Sequence, residues 1–167
     1  MTWRILEGDC SLAYMAGIID ADGTIGIKRS TYAMRRRGDA TQPVFSERVC
    51  VKQVTPEAID LLHETFDGYR FMAGPGSRNG RPMHGWQVTD LKAYGCLLAV
   101  RPYLRIKVAQ AENCIALREV KERSKRARVA FGRGHAGAAV RPLELTDEME
   151  AFAERAHLLN RVGGDAL

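Results

Sequence analysis

Apolar positions along the chain switch between two spacings, and each switch marks a predicted element. Leu12, Met15 and Ile19 recur at i, i+3 and i+7, the stripe of an amphipathic helix expected from Ser11 to about Ala21. Ser11 or Asp9 serves as its N-cap, and Gly23 is expected to stop it in the left-handed conformation. The period then falls to two. Ile25 and Ile27 alternate with Thr24, Gly26, Lys28 and Ser30 in a first strand from Thr24 to about Ala33. A second strand spans Phe45 to Val54, where Val49 and Val51 alternate with Arg48, Cys50 and Lys52; the polar stretch from Met34 to Gln42 connects the two. Thr55-Pro56-Glu57 opens another helix, with Thr55 as N-cap and proline at the first position; Ile59, Leu62 and Phe66 form its stripe and Gly68 ends it.

A second hairpin pairs Tyr69 to Ala73 with His84 to Thr89. Phe71, Trp86 and Val88 are expected to face the core, and Arg70, Met72 and Gln87 to face outward. Asp90 caps a third helix to about Val100, which Arg101-Pro102 interrupts. A fourth runs from about Lys107 to Ser124, burying Ala111, Ile115 and Leu117 or Arg118. Phe131 to Val140, rich in Gly and Ala, reads as a flexible link. A last amphipathic helix begins at Thr146, turns Met149, Phe152 and Leu159 inward and frays after Gly163.

The order helix, two strands, helix, two strands, helices predicts an α+β fold with an αββαββα core. Its four-stranded antiparallel sheet carries helices on one face and leaves the other open, with further helices at the C-terminus. The 167 residues suit one domain, with a core of about residues 11–124 and a helical extension of about 145–161. Charge changes the picture of the open face. The net charge is +5, and from Lys28 to Lys52 seven Lys/Arg stand against two acids, so the excess lies on predicted strands and loops. Lys28, Ser30, Arg35, Arg48, Lys52, Arg70 and Gln87 are therefore the candidates for binding double-stranded DNA, basic groups for phosphate and Arg or Gln for base edges.

Other classes fall away. Cys10, Cys50, Cys96 and Cys114 are far apart with no C-x-x-C pair, against a zinc site and in keeping with free thiols in a reducing, intracellular compartment. The opening MTWRILEGDC lacks the apolar run of a signal peptide, and no stretch approaches membrane-spanning length, so no membrane partner is expected. The pattern does not distinguish a bacterial or phage cytoplasm from an organelle.

Two features of the first helix call for explanation. Asp20 and Asp22 sit at its C-terminal end, where the helix dipole disfavours an unpaired carboxylate by about 0.3–1 kcal/mol. Ala13, Ala16 and Gly17 form a small-residue face that lets a second helix backbone approach closely. Met15-Ala16-Gly17-Ile18-Ile19-Asp20-Ala21-Asp22-Gly23 resembles the nine-residue signature of the LAGLIDADG homing endonucleases, with Met for Leu at the first position and Ile for Leu at the fourth. The signature is present once, and the resemblance extends from about Ser11 to Ser124.

The resemblance implies a single-motif, homodimeric nuclease, encoded within an intron or intein or free-standing. Its two protomers would meet through Ala13, Ala16 and Gly17, and its sheets would form a saddle over DNA. It implies a divalent cation, Mg²⁺, held by Asp22, with Gln53 orienting active-site water and Lys107, in PYLRIK followed by Gln110-Ala111, as the catalytic lysine. Asp20 is then left to packing and helix-end hydrogen bonding. The expected reaction is a double-strand cut in a long, near-palindromic target, across the minor groove, leaving 3′ overhangs. The alternative is a non-cleaving binder of the same fold, either a maturase for the host intron RNA or a DNA-binding regulator.

Overall fold

The computed structural model describes residues 10–31, 43–74, 80–130 and 143–161. Helix α1 (Cys10–Asp22) runs directly into strand β1 (Gly23–Thr31), which pairs with β2 (Pro43–Gln53). Helix α2 (Glu57–Phe66) leads to the hairpin β3 (Tyr69–Ala73) and β4 (Met83–Thr89). Then come α3 (Asp90–Val100), a 3₁₀ turn at Arg101–Tyr103, α4 (Val108–Ala130) and α5 (Leu143–Arg161). The strands lie in the order β1-β2-β4-β3, and each neighbouring pair is antiparallel. This is the expected α+β arrangement. No helix among the described residues is long and apolar enough to cross a membrane.

One face of the sheet is packed. Ile25, Val49, Val51, Trp86 and Val88 are buried against Met15 and Ile19 of α1, Ile59 and Leu62 of α2, Leu97 of α3 and Ala111 of α4. A smaller cluster joins Phe45 to Leu117 and Val120 of α4 and Met149 of α5. Helix α5 lies along α4 and β1. The Asn160 amide donates to Ile25 O at 2.9 Å, covering an edge strand that would otherwise present unpaired backbone groups. The last helix therefore closes the open side of β1 as well as packing against the core.

Cys50, Cys96 and Cys114 are free thiols, as expected, and all three are buried. Burial pushes the thiols of Cys96 and Cys114 up to about 12.

Several local expectations are corrected. Gly23 is the first residue of β1 and lies outside the left-handed region; α2 ends at Phe66 with Asp67 as its C-cap at φ 58°, and Gly68, expected to end it, follows at φ 109°. Gly23 matters for space: a Cβ there would lie 2.6 Å from Ile19 O, so only glycine lets the strand leave α1 so tightly. Pro56, with Asp60 N donating to its carbonyl at 2.8 Å, takes the N-cap position given to Thr55. Thr89 precedes α3, and Asp90 is the helix's first residue, at φ 54°. The fourth helix continues to Ala130, and the fifth starts at Leu143. The Met34–Gln42 connection, the Phe131–Val140 link and the stretch after Gly163 lie outside the described residues.

Candidate active site and nucleic-acid face

The two acids at the end of α1 have opposite surroundings. Asp20 is 8% exposed and accepts three backbone N–H groups, from Arg105 at 2.6 Å and Ile106 at 3.2 Å on Oδ2 and from Lys107 at 2.9 Å on Oδ1. These donors are the three residues immediately before α4, so the Asp20 carboxylate sits at the positive dipole end of that helix. Burial acts to raise its pKa, but the backbone donors and the Lys107 charge outweigh it and hold the carboxyl below its ordinary range. Lys107 returns the contact. Its Nζ donates to Ile19 O at 2.9 Å and to Asp20 O, with Ala21 O at 3.5 Å, meeting the orphan carbonyls at the end of α1. Each helix end is thus capped by a charge from the other element, which resolves the puzzle of acids at a negative dipole end. Burial lowers the Lys107 pKa, although Asp20 and Asp22 both pull it up.

Asp22 is exposed. The register places Gly23 opposite Val51, so Gln53, two residues on at the end of β2, reaches back to it. Gln53 Nε2 donates to Asp22 Oδ2 at 2.7 Å. The three residues assigned to the site by resemblance are therefore brought together at one helix end. No group of three or more His, Cys, Asp or Glu suited to a metal occurs among the described residues. One exposed carboxylate with an amide orienting it suits Mg²⁺, which takes oxygen ligands and retains several waters alongside substrate phosphates.

The cross-strand register also defines the open face of the sheet. Thr24, Cys50, Gln87 and Tyr69 form one row across all four strands. Gly26, Arg48 and Thr89 form another, as do Lys52, Gly85 and Phe71; Lys28 faces Ser46, and Ser30 faces Val44. Lys28, Arg48, Lys52 and Gln87 therefore share the open face as expected, and so does Ser30, whose Oγ is 3.5 Å from Val44 O. Arg48 Nε is buried with no protein partner. It lines a cleft of about 240 Å³ with Thr24 and Lys28 on one side and His157 and Asn160 of α5 on the other. Arg35 lies outside the described residues.

Arg70 is a correction. It pairs with Trp86 in the register and so lies on the helix-bearing face, where its guanidinium meets Asp60 of α2 at 2.5 Å. Phe71, expected in the core, is on the open face over Gly85, where any Cβ would collide with its ring. Tyr69 stacks on Phe71, with centroids 6.0 Å apart and planes at 12°. The segment YRFMA has apolar residues on both faces, so alternation alone cannot assign them; Gly85 opposite Phe71 is the signal that could.

On α1, Ala13, Gly17, Ala21 and Tyr14 form the exposed side. A Cβ built on Gly17 meets nothing within 4 Å. Ala16 is corrected from the seam to the core: it is 0% exposed, because three residues of a 3.6-residue turn carry it from Ala13 towards Met15 and Ile19. Ala21, four residues after Gly17, takes its place in the exposed stripe.

No family model and no curated protein matches the chain. Solved structures do match it. The homing endonuclease I-CvuI, in complex with the I-CreI target, superposes with a TM-score of 0.62 at 19% identity, covering 90% of this chain and 82% of that one. The group I intron-encoded homing endonuclease I-CeuI, complexed with DNA, gives 0.54 at 13% identity over 88% and 79%. A double mutant of I-SmaMI gives 0.55 at 10% identity over 92% of this chain but 46% of that one. The chain has the fold of the LAGLIDADG homing endonucleases, with one copy of their signature at the end of α1.

Proposed function

We propose that the protein is a homodimeric, Mg²⁺-dependent, site-specific DNA endonuclease that makes a double-strand cut in a long, near-palindromic target. One observation carries this reading: the exposed Asp22, held by Gln53 and flanked by Lys107, stands where the exposed small stripe of α1 meets the basic open face. A DNA binder without nuclease activity has no use for an exposed carboxylate beside phosphates, whose charge repels it. Two protomers packed through Ala13, Gly17 and Ala21 would bring two Asp22 carboxylates near the two-fold axis. Their mutual repulsion is relieved by a cation.

Bound there, Mg²⁺ supplies charge neutralisation at the scissile phosphate and an activated water. Gln53 fixes the Asp22 carboxylate and orients water at the site. Lys107, tied to the carbonyls of α1, presents a cation whose proton burial makes easier to release, suited to charge growing on the phosphate. The basic rows of the sheet hold the duplex, so affinity should fall steeply with salt. The neighbours described as bound to DNA support this use of the open face.

The test is selection from a randomised duplex library with Mg²⁺ and, separately, with EDTA. A discrete set of cleaved sequences recovered only with Mg²⁺ is expected. Tight binding to a structured intron RNA with no cleavage across the library would favour a maturase instead, and tight duplex binding without cleavage a regulator.

A further inference from the structure

The open face of the sheet is chemically divided. Its β1–β2 half carries Lys28, Arg48 and Lys52, whereas its β4–β3 half carries Gln87, Thr89, Phe71 and Tyr69 and no charged side chain in the paired rows. Tyr69 is 67% exposed although it is large and mostly apolar. Phe71 lies across the backbone of Gly85, and Tyr69 stacks on Phe71, so the two rings form a platform beside the Gln87 amide, directly opposite Tyr69 in the register.

In the major groove an A·T pair offers adenine N6 and N7 to an amide and, on the same pair, the thymine C5-methyl to an apolar surface. A G·C pair offers no methyl group, and guanine is matched by Arg or Lys. We propose that Tyr69 and Phe71, with Gln87, form an A·T-reading subsite in which the aromatic platform contacts a thymine methyl and the amide the adenine of the same or an adjacent pair. The β1–β2 half takes guanine and phosphate. This inference rests on the duplex-binding reading. A double-stranded RNA helix does not fit it, because its major groove is too deep and narrow for side chains to read.

The experiment uses the full-length protein and the duplex selected from the randomised library. Each thymine is replaced in turn by deoxyuridine, which removes only the methyl group. At one or two thymines per half-site, the wild type should lose about fourfold in affinity, the value of one buried methyl. Tyr69→Ser should bind the thymine duplex more weakly by a similar factor and show no further loss on the uridine duplex; Tyr69→Phe should behave as wild type. A selected site whose thymines all tolerate deoxyuridine, or losses that simply multiply with Tyr69→Ser, overturns the subsite and leaves the endonuclease reading intact. Failure to recover any duplex would overturn both, and preferred binding of single-stranded RNA abolished by Tyr69→Ser would reassign the platform to base stacking.

Discussion

Two charge clusters in this molecule have similar ingredients and different ends. Beneath the sheet, Glu47 is 0% exposed and accepts Arg118 at 2.6 Å and Lys121 at 2.8 Å. Lys121 also reaches Asp90 at 2.5 Å, and Asp90 accepts Ser46 Oγ at 3.0 Å. That cluster spends its charges on itself, tying β2, α3 and α4 together and holding Asp90 in its left-handed backbone conformation. At the end of α1, Asp20 and Lys107 are similarly engaged, but Asp22 has an exposed carboxylate met by a single amide. Glu47 meets two cations of its own chain through Oε2, whereas Asp22, on the proposed reading, keeps capacity for a partner from outside.

Substitutions can break or sharpen that contrast. Asp22→Asn should leave the fold and DNA affinity in place while lowering cleavage by about a thousandfold, the scale of several kcal/mol of lost charge stabilisation; single-turnover kinetics on the selected target checks it. Glu47→Ala should do the reverse. It takes the buried carboxylate from Arg118 and Lys121 and leaves them only Asp90, which should cost about 3 kcal/mol in urea unfolding and leave DNA affinity unchanged below the unfolding transition. Asp20→Ala falls between them, costing about 3 kcal/mol through three deprived N–H groups and slowing cleavage because Lys107 loses its seat. A smaller effect is expected of Gly17→Leu. It should weaken self-association by about a hundredfold in sedimentation, and the isolated protomer should be no less stable, because the new side chain meets open space on a helix.

The smallest effect concerns pH. The Asp20 carboxyl is held below its ordinary value of 3.8, so on acidification the unfolded chain takes up that proton first. Its stabilisation is complete above that ordinary value and fades as pH falls through the lowered one. Asp20→Asn should therefore show a shallower loss of stability in acid than the wild type.

Much of this was legible in the sequence where one face of an element is apolar and the other is not. The stripe Leu12, Met15, Ile19 and the alternation around Val49 and Val51 placed α1 and β2 on the core. Asp22, Gln53 and Lys107 were named through the signature and its neighbours, and they meet at one helix end. What escaped depends on partners distant in the chain. Arg70 and Phe71 exchanged faces because a five-residue edge strand with apolar residues on both sides takes its orientation from Asp60 and Gly85. Ala16 was drawn into the core by residues on the sheet. The capping exchange between Asp20 and Lys107 links positions 87 apart and leaves no local trace.

The central claim is that Asp22 is a ligand for catalytic metal and not a structural carboxylate. Cleavage of the selected duplex by the wild type and by Asp22→Asn, each with Mg²⁺ and with EDTA, tests it most directly. The account predicts double-strand product only for the wild type with Mg²⁺, and undiminished duplex binding by the variant. Cutting by Asp22→Asn at the wild-type rate would contradict it.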